Sequence, residues 1–206
     1  MPKEKMTLSQ IKRADIINAA KVTFTEFGVA ATSMDKLAEV AGVSKRTVYN
    51  HFDTKEAIVM TLMADLWDRS LKHNVAEYQS DRPLLEQLSE VVFKEVNFIS
   101  SQEYIELTRM AIGHFFYTPE SMNKEFQRVK KQESATMRWI REAIADKKIS
   151  VANEELALQQ IHSLIKGSCF WPQVMQFAER LNHDEQVSIA NEVAKMFLCR
   201  YQIASA

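Results

Sequence analysis

The chain is short of the residues that break helices and cross-link chains. Among 206 residues there are four glycines, four prolines and two cysteines, Cys169 and Cys199, with no CxxC pair. A disulfide framework and a thiolate metal site are therefore excluded, and a reduced, cytoplasmic setting is expected. Asn-Gly and Asp-Gly are missing, so the strongest hairpin signal is absent. No run of 18 apolar residues occurs, and the opening MPKEKMTLSQ lacks an apolar segment; neither a membrane span nor a secretory leader is expected. An excess of one charge is lacking too, with 26 Lys/Arg against 27 Asp/Glu. Residues 1–60 hold nine cations and seven anions. Bulk charge does not mark a nucleic-acid binder, so the placement of the cations has to.

Catalytic signatures are also missing. No HExxH, GxSxG, P-loop or GxGxxG is present. SxxK occurs, as at Ser9–Lys12 and Ser163–Lys166, without the SDN and KTG elements of that enzyme class. Cys169 and His162 lie seven apart, but two ligands do not make a metal site, and Cys169 reads as a small buried hydrophobe. No enzyme, cofactor or metal is expected.

What is present is apolar spacing of helical period almost throughout, which predicts an all-α fold of about nine helices. After a polar tail over 1–9, Ile16, Ala20, Phe24 and Phe27 form one stripe of a helix over about 11–27, closed by Gly28. Thr32 or Ser33 caps a second helix, with Asp35 in its first turn. Leu37, Ala38 and Ala41 face inward, Gly42 turns, Val43 plugs the turn, and Ser44 caps a third helix through Phe52. Asp53 and Thr54, with Glu56 as capping-box partner of Asp53, open a fourth helix reaching about Tyr78. Further helices are expected over about 84–100, to 117, 120–145, 154–180 and 184–202, with Asn153 as a cap and Pro172 kinking or ending the regular part of its helix.

The stretch ATSMDKLAEVAGVSKRTVYNHFDTK, residues 31–55, has the layout of a helix-turn-helix DNA reader. A recognition helix offers its first turn to base edges while its neighbours grip phosphates. Lys45, Arg46 and Thr47 stand in that first turn; Tyr49, Asn50 and His51 extend the polar face; Val48 and Phe52, four apart, point into a core. Lys55 begins the next helix, where an exposed amide end and an ammonium can share a phosphate. The bland alternative is a solvated basic helix, but cap, Gly turn and apolar plug together are more specific than basic residues alone.

At Thr32-Ser33, Leu37-Ala38, Ala41-Gly42-Val43-Ser44, Tyr49, His51-Phe52 and Thr54-Lys55-Glu56 the chain resembles the DNA-binding domain of TetR-type transcriptional regulators, over about residues 10–70. The resemblance implies phosphate contacts from Thr32, Ser33, Tyr49, His51 and Lys55. It implies base reading by Lys45, Arg46, Thr47 and Asn50, with Ser44 at the same surface. It also implies a homodimer on a palindromic operator of double-stranded DNA. The expected domains are 9–69, with the helix-turn-helix at about 32–51, and a regulatory and dimerisation domain over 70–206.

Within 70–206, Leu164–Pro172 (LIKGSCFWP) resembles the C-terminal domain of the AefR-like subgroup. The resemblance implies pairing through the last two helices, with Leu158, Ile161, Ile165 and Phe170 on one and Ile189, Val193, Met196 and Phe197 on the other. It also implies a small-molecule effector of unknown identity. Trp67, Phe93, Phe98, Met110, Phe115, Tyr117, Phe126 and Trp139 could line an adaptable apolar cavity, with His114 and His162 orienting a polar group. For each aromatic taken singly, ordinary core is the simpler reading. A ligand-responsive repressor is therefore expected; the alternative is a DNA-bound assembly or nucleoid-associated protein of the same fold with no inducer.

Overall fold

The computed structural model describes residues 6–73, 77–115 and 133–203, with backbone alone at 71–73 and 113–115. Every regular element among them is helical, and the only extended pairing is an isolated bridge between Ile149 and Gln202. The helices are α1 (Leu8–Ala31), α2 (Met34–Val40), α3 (Lys45–His51), α4 (Lys55–His73), α5 (Leu84–Ile99) and α6 (Gln102–Phe115). After them come α7 (Ala135–Ala145), α8 (Glu154–Ile165), a π-helical turn (Lys166–Phe170), α9 (Trp171–Val174) and α10 (His183–Tyr201).

The chain divides into two compact units, Met1–Leu66 with Glu106–Phe126, and Trp67–Ile105 with Gln127–Ala206. This division differs from a boundary at 69/70 in where it places 67–69 and 106–126.

In the first unit the helix starts follow local capping chemistry. Thr7 and Gln10 form a reciprocal capping box, so α1 begins at Leu8, earlier than the polar tail suggested. Its regular part ends at Gly28, whose φ of 78° admits no side chain without strain. Ser33 caps α2 by accepting from the Lys36 amide, and Ser44 caps α3 by accepting from the Thr47 amide. The Ala57 amide donates to the Thr54 hydroxyl, so of Asp53 and Thr54 it is Thr54 that caps α4. Ile16, Ala20, Phe24, Leu37, Val48, Phe52, Ile58 and Leu62 form the buried core. Phe27 does not continue the α1 stripe: it is half exposed, because the chain turns away at the next residue.

The second unit is built on α5 and α10. Leu88, Val92 and Val96 of α5 and Ala190, Val193, Ala194 and Phe197 of α10 are buried. From α7 come Trp139, Ile140 and Ala143, and from α8 Ala157, Ile161 and Ile165. Two helix expectations shorten. Tyr78 lies beyond α4, its hydroxyl donating to Asp146 Oδ2 at 2.7 Å. Burial and the Asp146 carboxylate together push the Tyr78 phenol up, so it stays a donor. At the other site Ser134 caps α7 through the Met137 amide, so helix does not run unbroken from 120 to 145. Gln87, nearly fully buried, pins the segment before α5 by donating to the Gln79 and Arg82 carbonyls and accepting from the Gln79 amide. The helix expected over 154–180 is interrupted by the π-helical turn, and Pro172 sits in the first turn of α9, where its missing N–H costs little.

Cys169 is 1% exposed, and burial pushes its thiol up to about 12. A raised value means the neutral thiol is the folded form. The stabilisation is therefore full below the ordinary thiol value of about 8.5 and is lost as pH rises toward 12. Exposed Cys199 should accordingly be alkylated rapidly at pH 8, and Cys169 only on unfolding, as mass spectrometry of a denaturant series would show. Separately, Ile161→Ala should lower unfolding free energy in urea by about 2–5 kcal/mol, since its side chain is wholly buried.

Candidate nucleic-acid interface

The Ser44 hydroxyl lies 2.8 Å from the Thr47 hydroxyl and accepts the Thr47 amide at 3.1 Å. These two side chains are therefore occupied in starting α3, and Thr47 is half-buried. Lys45, Arg46, Tyr49 and Asn50 are exposed, while Val48 on the opposite side is wholly buried. This places the polar face of α3 outward and anchors its other face in the core. The turn that orients α3 passes through Gly42 at φ 65°. Its Val43 amide donates to the Ala38 carbonyl, and its Gly42 amide to the Glu39 carbonyl. His51 is half-buried at the end of α3, and the Arg13 guanidinium stacks 4.9 Å from the centre of the Phe52 ring.

Two expected phosphate contacts are placed otherwise. Thr32 is 2% exposed; its hydroxyl and its amide both donate to the Gly28 carbonyl, at 2.8 and 3.2 Å. Nothing of its donor capacity faces solvent, because the end of α1 claims it. Lys55 is half-buried, and its ammonium donates to the Val29 carbonyl at 2.6 Å and the Ala30 carbonyl at 3.2 Å. Those carbonyls lie in the last turn of α1, which ends at the extended Thr32, so the lysine satisfies them and keeps one donor over. Ser33 is exposed with its hydroxyl on the Lys36 amide.

Among the described residues, those expected around an effector fall into separate contacts. Trp67 donates from its indole nitrogen to the Tyr104 hydroxyl at 3.5 Å. Tyr104 also meets Phe98 and Phe170 edge to face, at 4.9 and 5.7 Å between centres. Tyr104 and Phe170 are buried, Trp67 and Phe98 half-buried, and burial pushes the Tyr104 phenol up. Phe93 instead packs against His183, and Trp139 against Tyr78. Met110 belongs to the first unit. The side chains of His114 and Phe115 and the whole of Tyr117 and Phe126 lie outside the described residues. His162 Nε2 stands 3.1 Å from Glu95 Oε1, and Thr136 donates to Glu95 Oε2 at 3.2 Å. This histidine is satisfied by a carboxylate that sequence reasoning did not single out. A cavity of about 350 Å³ is lined by Arg82, Gln87, Glu90, Lys94 and Trp139 among others, with Arg82 already held by Glu90 at 2.7 Å. Of the expected pocket residues this cavity includes Trp139 alone, and its wall is polar.

Most of the expected pairing residues serve the single chain. Ile161, Ile165, Phe170, Val193 and Phe197 are each 5% exposed or less. Their helical stripe packs inward on the second unit's own core, and a stripe alone does not say which partner covers it. Leu158 and Ile189 are half-buried, and Met196 is 56% exposed. Trp171, Met175 and Phe177 are exposed apolar residues that sequence reasoning did not single out. Among the described residues no group of three or more His, Cys, Asp or Glu could hold a metal, and no helix is long and apolar enough to cross a membrane.

The C-terminal-domain family described as "AefR-like transcriptional repressor" matches residues 86–203, and "Bacterial regulatory proteins, tetR family" matches residues 16–61. The chain belongs to the TetR family of transcriptional regulators. It is similar to the HTH-type transcriptional regulator RutR of Escherichia coli, with 39% identity over 64 residues, 30% of either chain. The match thus spans about a third of that curated relative. A crystal structure of a TetR family regulator from Pseudomonas syringae pv. tomato aligns over 96% of this chain and 100% of its own, at 32% identity and a TM-score of 0.74. The flavonoid-responsive regulator FrrA aligns over 94% and 98%, at 25% identity and a TM-score of 0.70.

The bonds made by Lys55 bear on stability as well as on DNA. Lys55→Met should lower the thermal stability of the DNA-free protein by about 1–2 kcal/mol, because two carbonyls lose a charged donor. Differential scanning calorimetry without DNA checks this, and an unchanged transition would restore Lys55 to a phosphate-only role.

Proposed function

We propose that this TetR-family regulator is a ligand-responsive repressor that binds a palindromic operator as a homodimer, from the cytoplasm. The observation that carries the reading is α3: capped by Ser44, locked to the core by Val48, and exposing Lys45, Arg46, Tyr49 and Asn50 on one side. Such a face fits the major groove, with Arg46 suited to the paired acceptors of guanine and Asn50 to adenine. The DNA-binding domain is proposed as 9–69 and the regulatory domain as 70–206. Ser33, Tyr49 and His51 remain the proposed backbone contacts, with Lys55 adding at most one donor.

Pairing is proposed through exposed apolar residues near the chain's end. Trp171, Met175, Phe177 and Met196 are free to bury area against a second copy, which the buried residues of α8 and α10 are not. The likeness to an AefR-like repressor domain supports repression, and the likeness to a flavonoid-responsive protein supports an apolar, planar effector. Both likenesses support the regulator over the assembly-protein alternative.

Release results if the effector prefers one setting of α4. Recognition helices must match an operator repeat of about 34–36 Å, so a shifted α4 weakens binding, and the ligand acts only through its differential affinity for the two states. Selection of bound sequences from random duplexes should return a palindrome. On that palindrome, Arg46→Ala should reduce discrimination against a base-substituted site by about 1–3 kcal/mol, measured by competition binding. Equal weakening on every sequence would make Arg46 a phosphate contact instead.

A further inference from the structure

We propose that Asp35 sets the DNA specificity of α3 by holding Lys45, the first residue of the recognition helix. The Lys45 ammonium lies 2.8 Å from Asp35 Oδ1 and donates to Oδ2 at 3.0 Å. The carboxylate thus takes the cation on both oxygens. Each partner stands in the first turn of a helix started by its own serine cap, Asp35 behind Ser33 and Lys45 behind Ser44. The turn between them is fixed by Gly42 and by the Val43 amide on the Ala38 carbonyl. The pairing geometry is therefore set by backbone, not by two loose side chains. Asp35 also raises the Lys45 pKa, so the ammonium is fully charged when it meets DNA.

Both side chains are more than half exposed, at 60% and 64%. An ion pair that open adds little to folding, so its consequence is sought in binding. A free lysine is a flexible point charge that settles on any phosphate, and such contacts dominate sequence-independent affinity. An anion beside it offsets that attraction, and leaves the ammonium aimed along a set direction. An acceptor pair on a base edge, met by the aimed ammonium, then gains relative to a phosphate, which must displace or tolerate the carboxylate. Asp35 acts through Lys45 and is a positioning residue. The neighbouring Lys36 is paired with Glu39 at 3.2 Å, so α2 presents no loose cation at this position that would take over the phosphate.

The inference rests on the DNA-binding reading and deepens it. Its test uses the full chain, the duplex recovered by selection, and a scrambled duplex, titrated across about 50–300 mM KCl. Asp35→Asn should tighten binding to scrambled DNA about fivefold while changing operator affinity less than about twofold, and steepen the salt dependence by up to about one unit per half-site. In a Lys45→Gln background the same Asp35→Asn change should have no effect beyond about twofold on either duplex, because its partner is gone. If Asp35→Asn tightens both duplexes equally, or acts as strongly without Lys45, the residue is a bulk charge and the proposal falls. A loss of affinity on both duplexes together with a lower melting temperature would make it a structural residue of α2, and also overturns the proposal. A wild-type chain with no preference for any duplex would sink the DNA-binding reading itself. A wild-type preference that Asp35→Asn leaves intact would sink only the role given to Asp35.

Discussion

At Thr32 the backbone turns extended, and the carbonyls of Val29 and Ala30 in the last turn of α1 are left without the donors a continuing helix would supply. Buried or half-buried carbonyls without partners are costly, so the rest of the first unit is arranged to meet them. Thr32, just before α2, supplies two donors to Gly28; Lys55, first in α4, supplies its ammonium to Val29 and Ala30. The end of α1 thereby fixes where two other helices start. The recognition helix inherits its position from this arrangement, because α3 is strung between α2 and α4 by short, capped turns.

The second unit solves a comparable difficulty with side chains. Glu95 brings a carboxylate among apolar helices, where an unpaired charge is not tolerated. Thr136 from α7 and His162 from α8 meet its two oxygens. These contacts tie three helices at a point where apolar packing alone would allow sliding, so the unit combines a greasy α5–α10 seam with one directional polar fastening. Nearby, Tyr104 meets Phe98 and Phe170 edge to face and accepts from the Trp67 indole, which fills space with rings whose mutual preference is angular.

Signals in the sequence are legible wherever the physics is local. Ser33, Ser44 and Asn153 cap the helices that start beside them, since a capping bond spans three residues and shows as a short pattern. Gly28 and Gly42 adopt positive φ at the places where turns are expected. Contact between distant residues is what escapes. The Lys55 bond to Val29 links positions 26 apart, and no pattern within α4 announces it. The burial of Ile161, Ile165, Val193 and Phe197 is legible as a stripe, but a stripe has no label for the surface that covers it. The break at 166–170 is hidden for a different reason: a π-helical turn has nearly the composition of the α-helix around it.

That π-helical turn alters the phase of the chain beyond it. Its closing bond runs from the Trp171 amide to the Lys166 carbonyl, one residue longer than an α-helical ring. Cys169 and Phe170 face the interior on one side of this point, and Trp171 faces out on the other. One residue is about 100° of helical rotation, so the extra residue works as a gear tooth: remove it and every side chain downstream turns by that angle. Trp171 would swing toward the interior, and the exposed Met175 and Phe177 would lose their bearing. The length of this turn, more than the identity of any residue in it, decides what the end of the chain shows to the outside.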